Sequence, residues 1–370
     1  MHLVLCTDGI HPHALGGMQK HSRLLAEHLA RNGQVELTVI HPHARGVFDA
    51  SLGIREVPVP PIDEQRIYYR ELKAYSARVG AKLAELKPDA ILTQGLSVWH
   101  GVERFSDRLV VHPHGLEMFQ APGLKERLLT WPFRRAMRHV VRHSRFAISL
   151  GGRLTPMLQR IAAGSSCQVV VIPNAVELPA NLQPPTSYQP STINLLFVGR
   201  FAFNKGLDVL LEVTRRLVRE GREKDISFQL AGDGPLMAVM RDEGMPANVE
   251  LLGRVDDAGL AGLYAKCDAL VLPTRFEGMP TVVLEAMAHA KPILVSDVGA
   301  TAELVDAHNG WLLPAGDTEA LYRAIMELGQ QDDAARQRMG SASRLKVEER
   351  FTWEAVTRQY ADLLGRMSRR

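Results

Sequence analysis

Two cations in the second half of the chain have the types and spacing needed to bind a phosphorylated ligand. Arg200 and Lys205 stand in "VGRFAFNKG", where an apolar run ends and a helical pattern begins at Gly206. The N-terminus of a helix attracts anions, and a hydrogen bond from a charged group contributes roughly 1.5–3 kcal/mol. The pattern predicts a phosphate site, although two solvated surface cations would look the same.

Two glutamates follow in "PTRFEGMPTVVLEAMAHA", residues 273–290. Pro280 suits the first turn of a helix, so we expect Glu277 in the preceding loop and Glu285 one to two turns inside the helix. That spacing would let the carboxylates bind separate hydroxyls of an extended ligand. The helix is apolar enough to half-bury Glu285, which then needs a partner. The alternative is a surface helix with incidental glutamates.

A glycine turn, "LAGDGP" at 230–235, lies between these two elements. Gly232 and Gly234 flank Asp233, which suits a close approach of the backbone to another group. The position that a dinucleotide-binding GxGxxG motif would give to its third glycine is Met237. The turn therefore disfavours a nicotinamide-dependent oxidoreductase, and by itself it could be only a tight strand-to-helix turn.

The tripeptide His-Pro-His occurs three times, at 11–13, 41–43 and 112–114. We expect each copy where a strand ends and a loop begins, because proline interrupts the strand ladder. A His-x-His pair can bind zinc, but no further ligands follow at a recognisable spacing, so a metal site is disfavoured. His11 and His41 are interpreted as loop residues.

Composition indicates a globular protein of two domains. The chain has 370 residues, 46% hydrophobic and 23% charged, and no apolar run long enough to cross a membrane. The N-terminus "MHLVLCTDG" lacks the pattern of a signal peptide, and three scattered cysteines indicate a reducing, cytoplasmic setting. Residues 1–190 carry 22 Lys and Arg against 15 Asp and Glu, whereas residues 191–370 carry 22 against 26.

Short apolar runs alternate with helical patterns, which predicts α/β architecture with two Rossmann-like domains and a cleft between them. The expected boundaries are an N-terminal domain at 1–180, a proline-rich linker at 181–192 and a C-terminal domain at 193–351. An amphipathic helix at about 352–370 closes the chain. The predicted strands are 2–6, 35–40, 89–93, 108–112, 145–149, 168–172, 193–199, 226–232, 249–253, 268–273, 292–296 and 310–314.

The ordered set of motifs resembles the family 4 glycosyltransferases of GT-B fold. It comprises "GRFAFNKG" at 199–206, "AGDGP" at 231–235 and "PTRFEG" followed by the second glutamate. "LGG" at 15–17, "VHPHG" at 111–115, "AIS" at 147–149, "IPNAVE" at 172–177, "NGWLLPAGDTEAL" at 309–321 and "FTWEAV" at 351–356 complete it. The resemblance covers essentially the whole chain. It implies transfer of a sugar from a nucleotide-diphosphate donor, and a C-terminal helix that crosses back to the N-terminal domain.

The resemblance also implies the roles of particular residues. Arg200 and Lys205 would hold the diphosphate, Glu285 the ribose, and Glu277 the hydroxyls of the donor sugar. His114 would lie beside that sugar and would be catalytic together with Glu277, Arg200 and Lys205. The remaining implied nucleotide-sugar contacts are Gly16, Gly17, Gly232, Gly278, Met279, Pro280 and Thr281.

The resemblance further implies retention at the anomeric carbon, with the departing phosphate taking the acceptor proton. The chain contains no Asp-x-Asp, so we expect no metal and no other cofactor. "EGMPT" departs from the Phe-Gly that many relatives carry, and we favour a UDP-hexose or UDP-N-acetylhexosamine. The alternatives are a GDP-mannose-dependent mannosyltransferase and a catalytically silent protein that binds sugar nucleotides.

The acceptor should bind the N-terminal domain and is expected to be a glycan or a lipid-linked sugar in cell-surface polysaccharide synthesis. Basic and aromatic residues alternate in "LKERLLTWPFRRAMRHVVRH" at 124–143. This segment could lie on an anionic membrane at the inner, cytoplasmic face. A solvated basic helix packed on its own domain is the alternative. No nucleic-acid-binding module is present, so nucleic acid is not expected as a partner.

Overall fold

The computed structural model describes residues 1–63, 65–120, 123–180 and 192–368. The chain forms two compact units. Unit 1 comprises Met1–Asn174 and Trp353–Arg370, and unit 2 comprises Ala175–Thr352. The predicted linker, 181–192, lies outside the described residues except for its last position. No helix among the described residues is long and apolar enough to cross a membrane.

Unit 1 contains a parallel sheet whose strands are mostly continuous buried apolar runs, as expected when helices cover both faces. The strand order is β3-β2-β1-β4-β5-β6-β7, so the chain reverses direction across the sheet between β1 and β4. The strands are β1 (His2–Cys6), β2 (Glu36–His41), β3 (Arg55–Pro58), β4 (Ala90–Gln94), β5 (Leu109–His112), β6 (Phe146–Ser149) and β7 (Gln168–Val171).

Five helices of unit 1 connect these strands, and a sixth comes from the end of the chain. The connecting helices are α1 (Gly17–Asn32), α2 (Tyr68–Leu86), α3 (Leu124–Leu129), α4 (Trp131–Arg142) and α5 (Leu154–Ala162). Gly33 ends α1 in a left-handed conformation, which is typical of a C-cap glycine. The terminal helix, α12 (Trp353–Ser368), packs against α1, which confirms that the C-terminal helix returns to the N-terminal domain.

Unit 2 repeats the architecture with a six-stranded parallel sheet of order β10-β9-β8-β11-β12-β13. Its strands are β8 (Ile193–Val198), β9 (Ile226–Ala231), β10 (Val249–Gly253), β11 (Ala269–Leu272), β12 (Ile293–Ser296) and β13 (Gly310–Leu313). Its helices are α6 (Leu207–Arg219), α7 (Met237–Glu243), α8 (Asp257–Lys266), α9 (Thr281–Ala288), α10 (Thr318–Gln330) and α11 (Asp333–Arg350). The expectation of two Rossmann-like domains is confirmed.

Three local expectations need correction. The edge strand β3 was not predicted, because its four residues, "REVP", include two charges and a proline. The interpretation of His41 as a loop residue is wrong, since it ends β2 and is fully buried. The first His-Pro-His copy does not follow its strand directly, because β1 already ends at Cys6.

Candidate functional site

The loops that follow β8, β9, β11 and β12 meet at one edge of the unit 2 sheet, because all four strands are parallel. The Phe201 amide donates to the Asp233 carbonyl at 2.9 Å, and the Ala300 amide donates to Gly278 at 2.8 Å. Gly232 has φ +149°, and a Cβ there would lie 1.8 Å from the Gly199 carbonyl oxygen. The close packing of two loops therefore accounts for Gly232.

Lys205 and Glu277, 72 positions apart, contact each other at this edge. The Lys205 Nζ lies 2.5 Å from Glu277 Oε1, and the two side chains are only 21% and 10% exposed. Lys205 ends a short helical turn, Phe203–Lys205, directly before α6, and Glu277 lies in the loop before α9 as predicted. A half-buried pair of this kind offers one cation and one hydrogen-bond acceptor to a ligand that separates them.

A second ion pair fixes the loop that carries Glu277. The Arg275 guanidinium binds Asp208 of α6 through two bonds of 2.7 Å each, and it also donates to the Phe203 carbonyl at 3.0 Å. The Arg275 amide donates to the Asn204 carbonyl at 2.7 Å. Bidentate Arg–carboxylate pairs set direction as well as distance. Arg275 and Asp208 therefore position Lys205 and Glu277, and sequence reasoning did not find them.

The helix α9 begins beside this pair. Pro280 is its N-cap rather than its first residue, and the Thr281 and Val282 amides lie in the first turn, where no intrahelical acceptor exists. Met279, which precedes Pro280, is buried, with only 3% of the residue exposed. The N-terminal turn of a helix favours an anionic ligand, and this one begins four residues after Glu277, the partner of Lys205.

Glu285 lies inside α9, as predicted, and its partner is Tyr264 of α8. The Tyr264 hydroxyl donates to Glu285 Oε2 at 3.0 Å. Burial, and then the Glu285 carboxylate, hold the pKa of Tyr264 well above its usual range, so the phenol stays protonated and remains a donor. One oxygen of Glu285 is thereby oriented. No motif in the sequence pointed to Tyr264.

Arg200 follows β8 at the same edge and differs from Lys205 in its surroundings. Its side chain is exposed, and it forms no ion pair with any other residue in the described parts of the chain. The structure thus brings Lys205 and Glu277 into contact but leaves Arg200 outside that contact.

His114 lies in unit 1, two residues beyond the end of β5. Its φ of +60° is unusual for a residue with a side chain and directs the ring back over the strand end. His114 Nε2 lies 2.5 Å from Gln94 Oε1, at the end of β4. An amide oxygen only accepts, so Nε2 carries the proton and Nδ1 keeps a lone pair. Burial, and then the nearby ring of His21, hold the pKa of His114 well below its usual range, so the ring is neutral.

Two fully buried histidines stand behind His114. The His112 ring stacks on His114 with centroids 4.0 Å apart, and the His21 ring of α1 lies edge-on to both at 5.1 Å. The Tyr360 hydroxyl of α12 lies 3.3 Å from His112 Nδ1, and the Trp353 ring lies 5.4 Å from that of His21. We call His21, His112, His114 and Tyr360 the histidine cluster. It joins α1, β5 and α12, and of its members sequence reasoning found only His114.

Gly16 and Gly17 open α1 of unit 1. Gly16 is the N-cap with φ +146°, and no side chain caps the helix. A Cβ at Gly17 would meet no atom within 4 Å, so its immediate surroundings are open.

Two doubly wound parallel sheets, one carrying a lysine, two carboxylates and a helix N-terminus at its carboxyl edge, define an α/β protein suited to phosphorylated, hydroxyl-rich ligands. The family model "Glycosyl transferases group 1" matches residues 192–331, and "Glycosyltransferase Family 4" matches residues 15–179. The chain belongs to the family 4 glycosyltransferases.

Individual glycosyltransferases of similar sequence support this membership. An uncharacterized glycosyltransferase of Methanocaldococcus jannaschii is 33% identical over 163 residues, which are 43% of this chain and 44% of the relative. The O-antigen chain mannosyltransferase C of Escherichia coli is 27% identical over 243 residues, 56% of this chain and 62% of the relative. The matched segments thus span between 44% and 62% of these relatives.

Solved structures match along the whole chain. Sucrose-phosphate synthase from Thermosynechococcus elongatus superposes with a TM-score of 0.80 at 20% identity, covering 99% of this chain and 98% of that one. HepE from Anabaena, solved in complex with UDP, superposes with a TM-score of 0.72 at 18% identity, covering 99% and 100%. At these identities the likeness concerns the fold alone.

Proposed function

We propose that this protein is a retaining glycosyltransferase. It moves a hexosyl or N-acetylhexosaminyl group from a nucleotide-diphosphate sugar to a glycan or a lipid-linked acceptor in cell-surface polysaccharide synthesis. The favoured donor is a UDP-sugar. The observation that carries the proposal is the half-buried contact between Lys205 and Glu277 beside the first turn of α9. Family membership supports the reaction class.

In the proposed donor complex, the diphosphate replaces Glu277 as the partner of Lys205. Arg200, which is exposed, adds a second cation, and the amides of Thr281 and Val282 add neutral donors. Displacement from Lys205 leaves the Glu277 carboxylate to accept hydrogen bonds from hydroxyls of the donor sugar. Glu285, held by the Tyr264 hydroxyl, accepts from the ribose.

The leaving group of such a reaction is a nucleotide diphosphate, on which negative charge develops. Preorganised donors at that position lower the barrier, and removal of one typically costs about 10²–10³ in rate. Lys205, Arg200 and the helix end can supply this stabilisation without a metal, so we propose a metal-independent transfer. The departing phosphate oxygen would take the acceptor proton, and the new glycosidic bond would form on the face that the phosphate leaves.

We propose catalytic or donor-binding roles for three residues of unit 1, His114, Gly16 and Gly17. His114 is neutral, and its Nδ1 lone pair is available to accept a hydrogen bond from a sugar hydroxyl. A His114→Ala variant should lower kcat and leave nucleotide affinity unchanged. A loss of nucleotide affinity instead would contradict this role.

The donor site is tested by thermal unfolding in the presence of UDP, GDP, ADP and their sugars, each with and without EDTA. We expect one nucleotide to raise the Tm equally in both conditions, and Lys205→Ala to weaken its binding at least tenfold, since a charge-assisted bond contributes about 1.5–3 kcal/mol. Lys224→Ala, which removes an exposed lysine elsewhere in unit 2, is the matched control. An absence of shift with every nucleotide would contradict the transferase proposal.

A GDP-mannose-dependent mannosyltransferase is the second candidate, and the similarity to the Escherichia coli mannosyltransferase favours it. The same experiment separates the two, because a shift with GDP and none with UDP would select this alternative. Product stereochemistry by NMR tests retention, and an inverted anomeric configuration would exclude the proposed mechanism.

We also propose that α3 and the start of α4 rest on an anionic membrane. Leu128, Leu129 and Trp131 are 79%, 67% and 55% exposed, and Arg135 and Arg138 are exposed next to them. Each basic residue near such a surface contributes about 1 kcal/mol. Exposed apolar side chains beside exposed cations favour membrane contact over the alternative of a solvated basic helix.

Sedimentation with vesicles of phosphatidylglycerol and phosphatidylethanolamine tests this contact. Wild-type protein should pellet at low salt, and Trp131→Ser should pellet several-fold less. Leu345→Ser, which replaces a leucine of unit 2 that is 55% exposed, should behave as the wild type. Failure of the wild type to pellet would rule out the membrane proposal and leave the donor proposal standing.

A further inference from the structure

A group of three potential metal ligands lies in unit 1 and includes none of the residues proposed for donor binding or catalysis. Glu103, His139 and His143 each present one ligand atom, and the three atoms lie within 4.8 Å of one another. Glu103 is on a short helical turn, Val102–Phe105, and the histidines are at the end of α4. We call these three residues the Glu-His-His group.

The Glu-His-His group lies at the opposite end of the sheet from His114. The turn that carries Glu103 precedes β5 and α4 precedes β6, and these strands are adjacent and parallel. Both elements therefore approach the amino ends of their strands, whereas His114 follows the carboxyl end of β5. A ligand of the Glu-His-His group would not take part in the proposed transfer.

The spacing of the two histidines suits a shared ion. His139 and His143 are four positions apart, one turn of helix, which places their side chains on one face at about 5–6 Å between Cβ atoms. Their ring centroids are 4.4 Å apart. Ligand atoms about a tetrahedral zinc are separated by roughly 3.4 Å, given bonds of about 2.0–2.2 Å. The ligand atoms would therefore have to approach one another by at most about 1.4 Å. The side chains of His139 and Glu103 are 38% and 52% exposed, which leaves them room to adjust.

Hydrogen bonds already orient all three ligands. His143 Nδ1 lies 2.9 Å from the His139 carbonyl oxygen, which can only accept, so Nδ1 is protonated and Nε2 keeps its lone pair. A bond from the second ring nitrogen to a carbonyl is the usual support of a metal-binding histidine. His139 Nε2 lies 3.0 Å from Glu103 Oε1, so these two ligands are already in contact across the two elements.

We propose that Glu103, His139 and His143 bind a divalent transition-metal ion such as Zn²⁺. Two imidazoles and one carboxylate suit zinc better than magnesium or calcium, which prefer oxygen ligands. Three protein ligands leave at least one coordination position for water. The bound ion would link the end of α4 to the turn before β5, and it would therefore stabilise unit 1 against unfolding.

Calorimetric titration of ZnCl₂ into tag-free, EDTA-treated and dialysed protein tests the proposal. We expect one equivalent to bind with micromolar affinity, and Glu103→Gln and His143→Ala each to weaken binding at least tenfold. Loss of even an outer partner of a metal ligand costs about 10–100-fold. His13→Ala is the matched control, since His13 also lies beside another histidine, with ring centroids 5.2 Å apart, and it should bind zinc as the wild type does.

A second measurement guards against variants that fail to fold. Thermal unfolding in EDTA should give the same Tm for the wild type and the three variants, and added ZnCl₂ should raise the Tm of the wild type and of His13→Ala only. Absence of saturable binding below about 100 μM in the wild type would overturn the proposal. Equal binding by His143→Ala and the wild type would overturn it as well.

Discussion

Acid should destabilise unit 1 through the buried imidazole of His21. Burial lowers the pKa of His21 from its ordinary value near 6.5 to about 4. The ring is 3% exposed, and it packs between the rings of His112, His114 and Trp353, none of which offers it a negative charge. The unfolded chain therefore binds a proton that the folded chain rejects.

The sign and the size of this pH effect on the free energy of unfolding follow from proton linkage. Between about pH 6.5 and pH 4 the unfolded state holds more protons, so the free energy of unfolding falls as the pH falls through that window. At pH 5 the contribution of His21 alone is about 2 kcal/mol, and at pH 7.5 it is about zero. A change of this size corresponds to a Tm lower by roughly 4–8 °C for a unit of this length. Burial also lowers the pKa of His112 and His114, which adds to the effect in the same direction.

Urea unfolding at pH 7.5 and pH 5.0, followed by tryptophan fluorescence, measures this loss. Trp353 reports on the region directly, because its ring lies 5.4 Å from that of His21. The wild type should lose about 2 kcal/mol more between the two pH values than His21→Gln, whatever the stability of the variant at pH 7.5. His100→Gln, which replaces an exposed histidine of unit 1, should lose as much as the wild type. Equal losses in the wild type and His21→Gln would refute the reasoning.

Three further outcomes concern unit 2. Tyr264→Phe removes the donor to Glu285, so nucleotide affinity measured by calorimetry should fall about fivefold, or about 1 kcal/mol; unchanged affinity would mean that the phenol does not orient the carboxylate. Gly232→Ala places a methyl group against a carbonyl oxygen and should lower the free energy of unfolding, measured in urea, by more than about 2 kcal/mol. Gly262→Ala adds a methyl group that meets no atom within 4 Å, so it should leave that free energy unchanged or raise it. Arg275→Lys loses the bidentate pair and should raise KM for the donor several-fold at nearly unchanged stability; an unchanged KM would contradict the positioning role.

The alternation of apolar runs and helical patterns was enough to predict most of the fold. Twelve of the thirteen strands in the described residues coincide with predicted strands to within one or two positions, since buried parallel strands are recognisable as uninterrupted apolar runs. The exception, β3, is an edge strand that is too short and too polar to show such a run. The placement of Glu277 in a loop and Glu285 within α9 was predictable as well, because Pro280 marks the boundary between them.

The contacts between side chains were decided only by the tertiary structure. Lys205 meets Glu277 across 72 positions, and Tyr360 meets His112 across 248, because parallel topology brings separate loops to one edge and returns α12 to α1. The Glu-His-His group joins two elements in the same way. Local sequence determines where a strand or helix begins and ends, since that depends on near neighbours along the chain. Which side chains then face each other depends on strand order and register, and no short motif encodes either.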